Sequence, residues 1–452
     1  MTGTTQVFEV SAAYQLLALA AALDSGAFPP ADRRLLLTSV NSAEPETAGR
    51  LEHDPALASV LARFDDVRSY NDLIAPLHPK GFRPRADELP MYERMFRREL
   101  GIPEDDEVHL MLESIQTPPS RSILAVFATS SATVYAEGLM SYGPTRDPLP
   151  SRMWSRIERV LHLDLVPGLT PLLLSEHGIP AVPIDAAAFR AVVHEIGVRR
   201  ERPRRPPHAL LLGQYLAPLR LMSAREESAL YARLLDAAAA AGHGFVVYKP
   251  HPGAPPAYAE ALASHADRLG IRFEVERDPV PAEVLYETDP PELVLGCFST
   301  GLATAARFWQ LPAVRAGTRE ALRALPLFED SNRIPLVLID LTVPPAQSDT
   351  AAATRAGHDV AEVLTAVGYA MQWRAYAPSR GAAAEALRRP DGAAIAFVPR
   401  DRLTMLRLPG GAGGVLDDAG FRLHVERRER LAEARALVGG AVRRARGLIG
   451  RR

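Results

Sequence analysis

The chain of 452 residues holds a single cysteine, Cys297. One thiol builds neither an internal disulfide framework nor a zinc site of paired cysteines, and such scarcity fits a reducing, cytoplasmic setting. Lysine is nearly as rare, since only Lys80 and Lys249 among 52 basic residues are lysines. Charge of one sign is not in excess either: 54 acidic residues leave a formal net charge of −2. A nucleic-acid binder would carry a basic domain or stripe, so this balance argues against nucleic acid as a partner. No apolar run approaches the ~20 residues that cross a bilayer, and no charged region precedes the N-terminal apolar stretch. Neither secretion nor membrane insertion is expected. No Gly-x-Gly-x-x-Gly follows the first strand, which leaves a dinucleotide without its pyrophosphate cradle. Asp-x-Asp is absent, as is any cluster of histidines and carboxylates at metal-ligand spacing, so neither a metal nor another cofactor is expected. No repeat of solenoid period appears.

What remains is a chain with 47% hydrophobic and 23% charged residues, long enough for two or three domains with cores of their own. Its central stretch is Phe245-Val246-Val247-Tyr248-Lys249-Pro250-His251-Pro252-Gly253. Four strand-forming residues run into prolines that cannot donate to a sheet ladder, so the strand ends near Tyr248. Lys249 and His251 then follow its carboxyl end, where open α/β sheets bind ligands. Upstream, Thr5–Val10, Arg34–Val40, Phe64–Val67, Glu107–Glu113 and Ala132–Tyr135 read as strands alternating with helices. Glu113 ends one of them. Glu137-Gly138 follows another and leads into Leu139-Met140-Ser141-Tyr142, with a glycine that allows a sharp turn or a close backbone approach. The run from Arg199 to Pro207 holds neither helix nor buried strand and reads as a solvated linker. Beyond it come strands at Leu210–Gln214, which includes Gly213, then at Phe245–Tyr248, Arg272–Val275 and Pro291–Gly296. Ser299-Thr300-Gly301 opens a helix whose free N–H groups and positive dipole end suit an anion. Residues 350 to 424 yield only a helix near Val360–Tyr376 and a hairpin around Gly410–Gly414.

Two Rossmann-like halves joined by a linker describe the GT-B type of glycosyltransferase, an α/β fold with two domains facing across a cleft. Glu137-Gly138, Lys249-Pro250-His251-Pro252, Glu283 and Ser299-Thr300, in that order, resemble the motif set of bacterial sialyltransferases and, most closely, polysialyltransferases. The likeness covers about residues 1 to 320. It implies an N-terminal acceptor-side domain over 1–198, the linker at 199–207, a CMP-donor domain over 208–380 and an extension over 381–452. Glu137 is implied as general base on the acceptor hydroxyl and His251 as the group acting on the departing phosphate. Glu283 is implied to hold the ribose, with Ser299, Thr300, Lys249, Pro252 and Gly213 around the donor, while Gly138, Tyr142 and Glu113 are acceptor-side candidates. The chain departs from the family in having Ala136 before Glu137 and a Ser-Thr in place of a Ser-Ser pair. The implied reaction moves a sialic-acid-like sugar from a CMP-activated donor to a glycan or polysaccharide acceptor, inverting and metal-independent. A CDP-glycerol-type glycerophosphotransferase and a non-catalytic nucleotide- or sugar-binding protein are the alternatives that the same motifs admit.

The stretch Val425–Leu448 reads as an amphipathic helix, and after Glu433 no acid opposes Arg443, Arg444, Arg446, Arg451 and Arg452. Such an end predicts peripheral contact with an anionic inner membrane face, at ~1 kcal/mol per arginine near the surface. The full chain is therefore expected to sediment with anionic liposomes in low salt more than a chain ending at Glu433. Equal, salt-insensitive sedimentation would make the tail a solvated helix end.

Overall fold

Apolar runs such as Leu35-Leu36-Leu37 and Leu210-Leu211-Leu212 carry no polar alternation, as befits strands covered on both faces. In the computed structural model these residues are buried in two wholly parallel sheets. The structure describes residues 3–42, 44–47, 49–136, 138–199, 204–251, 254–346, 357–413, 415–416 and 420–421. The first sheet contains β1 (Thr4–Val10), β2 (Arg33–Thr38), β3 (Asp66–Ser69), β4 (Glu107–Leu112), β5 (Ser131–Ala136), β6 (Ile157–Leu163) and β7 (Ala181–Ile184). Its order is β3-β2-β1-β4-β5-β6-β7. The second contains β8 (Ala209–Leu212), β9 (Phe245–Lys249), β10 (Arg272–Val275), β11 (Leu293–Gly296) and β12 (Ala313–Arg315), in the order β10-β9-β8-β11-β12. Strand order reverses between β1 and β4 and again between β8 and β11, and at such points the crevice beyond the carboxyl ends is open to a ligand. These are the two Rossmann-like sheets of a GT-B fold.

Three strands escape a reading of the sequence, each for a physical reason. Glu158 and Arg159 break the apolar run of β6. Pro183 lies inside β7, which is tolerated because β7 is an edge strand where a missing N–H costs the ladder little. β12 is an edge strand of three residues. Elsewhere boundaries move slightly: β9 runs one residue further than expected, to Lys249, and β3 begins at Asp66.

The chain divides into two compact units, Met1–Ala361 and Glu362–Arg452, and both sheets lie in the first. Five helices of that unit matter for the site: α1 (Ala13–Asp24), α2 (Ala186–Val198), α3 (Ala224–Ala240), α4 (Ala282–Thr288) and α5 (Thr300–Phe308). Asp185 accepts from the Ala188 N–H at 2.7 Å and so caps α2. From α2, Phe189 meets Tyr14 of α1 edge-on at 5.9 Å and Phe308 of α5 at 5.6 Å, which ties the layers of the two sheets together. A Cβ on Gly197 would run into Thr288 Cγ2, so only glycine allows α2 to lie this close to α4. Ser223 and Glu226 form a reciprocal capping box at the start of α3.

In the second unit, Arg380 is buried and donates to the carbonyls of Leu406, Arg407 and Leu416 at 2.9, 3.0 and 2.9 Å. The helix expected near Val360–Tyr376 spans Gly357–Met371. The hairpin expected at Gly410–Gly414 does not form among the described residues: Gly410 and Gly413 take φ values of +84° and +90° and make turns. The basic stretch Val425–Leu448 lies outside the described residues.

Arg205 corrects the solvated reading of the linker where the linker is described. Its side chain is 16% exposed and donates to Glu274 at 2.7 Å, Glu276 at 2.9 Å and Asp289 at 2.7 Å. Glu276 and Asp289 are buried, so the guanidinium compensates charges that have left water. Glu276 in turn accepts from the Asp278 N–H at 2.9 Å, and Lys249 Nζ donates to the Asp278 carbonyl at 2.9 Å. One arginine thus fixes the turn after β10 and, through it, the lysine at the end of β9. Arg205→Met is expected to cost about 3–5 kcal/mol in urea denaturation, as for removal of one partner of a buried pair. A loss under ~1 kcal/mol would place Arg205 with ordinary surface pairs.

Candidate active site

The carboxyl ends of β8, β9 and β11 bring Gly213, His251 and Ser299 to one edge of the second sheet. Beneath them sits Glu227, wholly buried on α3. It accepts from the N–H groups of Leu216 and Ala217 at 3.1 and 2.8 Å, and from the hydroxyls of Tyr231 and Tyr258 at 2.8 and 3.1 Å. A buried carboxylate needs such donors, and here they pin the loop that leaves β8. That loop presents Tyr215, whose ring stacks on His251 with centroids 5.4 Å apart and planes 14° from parallel. A Cβ on Gly213 would come within 2.7 Å of the Tyr248 hydroxyl and 3.1 Å of the His251 nitrogen of the backbone. Glycine is therefore required for β8 to pass this close to the end of β9. Burial holds the His251 imidazole below its ordinary pKa, partly offset by the negative charge of Glu227.

The other donor-side candidates occupy the same sheet edge. Ser299 caps α5, its Oγ accepting from the Gly301 N–H at 3.2 Å. Glu283, near the start of α4, is buried, accepts from Thr304 Oγ1 at 2.6 Å, and has its pKa pushed up by that burial. The charge of Lys249 acts on Glu283 in the opposite sense. Pro252 lies outside the described residues.

Thr300 links the two halves. Its Oγ1 accepts from the Leu139 N–H at 3.4 Å and would lie 3.4 Å from a Cβ placed on Gly138. Residues 161 positions apart in sequence, in the loop after β5 and at the start of α5, thus meet. Arg307 of α5 reinforces the junction by donating to the Asp164 carboxylate at 2.7 Å and to its carbonyl at 3.1 Å. Tyr142 is fully buried, and its hydroxyl donates to the Leu163 carbonyl and accepts from the Leu165 N–H, each at 3.0 Å. It therefore fixes the turn after β6, next to Asp164. Glu137 lies outside the described residues.

At the first sheet's reversal point two acids lie together. Glu9 is buried in β1, where its carboxyl group accepts from Ser120 Oγ at 2.7 Å, the Glu113 N–H at 3.2 Å and Ser39 Oγ at 3.3 Å. Glu113, just past β4, accepts from Ser11 N–H and Oγ at 2.7 and 2.8 Å. Burial first, and then the Glu113 charge, push the Glu9 pKa up to about 8; burial likewise raises Glu113. Ser11 and Ser39, which these acids hold, line a cleft of about 1390 Å³, together with Thr38, Asn41, Arg50 and Asp278. Its wall sets hydroxyl, amide, guanidinium and carboxylate groups among apolar residues such as Ala12, Val40, Leu51 and Pro55, a mixture that suits a sugar ring and its hydroxyls.

Glu9, Tyr215 and Glu227 are among the residues of these networks that the motif reading does not reach. Glu9 has a visible signal, an acid inside the apolar run Val7-Phe8-Glu9-Val10. Glu227 shows none, because on an Ala-rich helix a buried glutamate and a solvated one look alike. Among the described residues no group of three or more potential ligands is placed to hold a metal ion, and no helix is long and apolar enough to cross a membrane.

The family model described as alpha-2,8-polysialyltransferase (POLYST) matches residues 6–318. No curated protein matches the chain. Among solved structures, MurG of Acinetobacter baumannii is similar at 11% identity and a TM-score of 0.39, over 87% of this chain and 98% of that one. The GT-B domain of a Photobacterium damselae sialyltransferase is similar at 11% identity and a TM-score of 0.40, over 74% and 96%. A UDP-GlcNAc 2-epimerase from Methanocaldococcus jannaschii gives 8% identity and a TM-score of 0.40, over 72% and 92%.

The acid pair at the first sheet's edge has a measurable signature. Glu9 rises from an ordinary 4.5 to about 8, so between those values the folded chain binds more protons than the unfolded one. Its contribution to stability is complete below about pH 4.5 and lost as pH climbs through 8, with a slope of at most about 1.4 kcal/mol per pH unit. Thermal denaturation from pH 5 to 8 is expected to show a falling melting temperature that Glu9→Gln flattens. Parallel curves for the two proteins would mean that Glu9 does not hold the extra proton.

Proposed function

We infer that this chain, which belongs to the alpha-2,8-polysialyltransferase family and is a GT-B glycosyltransferase, transfers a sialic-acid-like sugar from a CMP-activated donor to a glycan acceptor. The observation that carries the reading is the contact of Thr300 with Gly138 and Leu139, which joins the paired-hydroxyl motif of one sheet to the acidic-glycine motif of the other.

In this reading the nucleotide lies across the ends of β8, β9 and β11. Ser299, Thr300, Lys249 and the start of α5 supply donors for phosphate oxygens, and Glu283 meets the ribose. The cleft beside β1 and β2, with Ser11, Thr38 and Ser39 in its wall, takes the acceptor glycan. Glu137 removes the proton from the acceptor hydroxyl as that oxygen attacks the anomeric carbon from the face opposite CMP. The bond from the anomeric carbon to the phosphate oxygen breaks, its electron pair leaves with CMP, and configuration inverts. His251 meets the charge developing on that phosphate. Its imidazole is neutral at rest because burial disfavours the cation; the donor phosphate, a diester, arrives with one negative charge, and the second charge that develops on it as the bond breaks favours protonation of His251. Donors fixed before the reaction stabilise such a charge without reorganisation, which is the source of most of their catalytic value.

Product formation from CMP-sialic acid tests the reading, with excess EDTA expected to leave the rate unchanged. Glu137→Gln is expected to lower kcat by roughly 10²–10⁴-fold while CMP binding holds. His251→Ala is expected to damage both turnover and CMP affinity. Near-normal kcat in Glu137→Gln would remove it as base, and loss of activity on chelation, restored by Mg²⁺ or Mn²⁺, would overturn the metal-independent mechanism.

A further inference from the structure

Gln214 follows Gly213 at the point where the strand order of the second sheet reverses, and it is held there on every side but one. Its backbone N–H donates to the Tyr231 hydroxyl at 2.6 Å, and that hydroxyl lies 2.8 Å from both the Gln214 carbonyl and Glu227. Its side-chain Oε1 accepts from the backbone N–H groups of Cys297 and Phe298, at 3.2 and 2.8 Å. Two N–H groups can only donate, so the carboxamide has one possible orientation: oxygen toward β11, nitrogen away from it. The nitrogen finds no partner among the described residues and is not sealed from solvent. A side chain fixed at this level, with its NH₂ group unused, does more than tie two loops together. The neighbouring groups are those that favour an anion: the capped start of α5 and the imidazole of His251.

We propose that Gln214 is a further contact residue for the bound nucleotide, its side-chain nitrogen donating a hydrogen bond to an anionic oxygen of the phosphate. The proposal rests on the nucleotide site described under the proposed function. Two features give the donor its aim. Oε1 is committed to the β11 end, and the Glu227–Tyr231 pair holds the backbone so that the carboxamide does not swing. A donor that needs no reordering on binding keeps the affinity that a mobile one loses.

Gln214→Glu separates this role from a structural one. Glutamate is nearly the same size and keeps an oxygen for Cys297 and Phe298, but it replaces the nitrogen donor by an oxygen that repels phosphate. Titration calorimetry on the full chain compares wild type and Gln214→Glu with CMP and with cytidine, which lacks the phosphate. The variant is expected to keep the wild-type melting temperature, to bind CMP roughly 10- to 100-fold more weakly, and to lose far less affinity for cytidine. Unchanged CMP affinity, or equal losses for CMP and cytidine, would overturn the proposal. If wild type binds UDP or GDP and not CMP, the CMP reading fails and the same comparison, with uridine or guanosine, decides Gln214. If wild type binds no nucleotide, both fall. In wild type the side-chain NH₂ resonance of Gln214 is expected to shift on addition of CMP, and a fixed resonance would overturn the proposal even where the variant does not fold.

Discussion

A parallel strand that ends in a loop leaves backbone N–H groups pointing into the crevice with no partner strand to accept from them, and such groups are costly to bury unpaired. Each sheet of this protein meets that constraint with a buried glutamate. Glu227 serves the second sheet by accepting from Leu216 and Ala217 in the loop leaving β8. Glu9 serves the first by accepting from the N–H of Glu113 at the end of β4. The two solutions differ in electrostatics. Glu227 is surrounded by donors and lends negative charge to His251, whereas Glu9 shares its pocket with a second acid and retains a proton into the neutral range. The positions of Tyr215, Gln214 and Ser39 follow from these two carboxyl groups, while Ser11 is held by Glu113.

The sequence shows the strands that end in distinctive residues. The Pro250 and Pro252 boundary of β9, the Ser299 cap of α5 and the Gly138 turn after β5 are all local signals, with a cause within a few residues. Their order along the chain was enough to expect a two-sheet GT-B protein. What the sequence hides is long-range. The role of Arg205 depends on Glu274, Glu276 and Asp289, 69 to 84 residues away, and its own neighbourhood of arginines and prolines looks like a solvated tether. β6 is hidden because Glu158 and Arg159 interrupt its apolar run, and β7 because Pro183 lies within it at an edge.

The candidate residues divide in the same way. The motif reading reaches residues that cap helices or end strands, such as Ser299, Thr300 and His251. It reaches Tyr142 too, yet the hydroxyl there is committed to Leu163 and Leu165, so the side chain acts on the Asp164 turn and through it on Arg307. Gln214 carries no sequence signal. Glutamine after a glycine is ordinary until Cys297 and Phe298 are seen to fix its orientation.

Cys297 lies at the end of β11, its N–H donating to Gln214 and its carbonyl accepting from Thr318 Oγ1 at 2.8 Å. Its thiol is sealed from solvent, and burial raises the thiol pKa far above its ordinary value, so little thiolate forms at neutral pH. The only sulfhydryl of the chain is therefore inert to maleimide while the protein is folded. A cysteine introduced on an exposed loop would take a thiol-directed fluorophore alone, and unfolding would be reported by the appearance of a second reactive thiol in the same molecule.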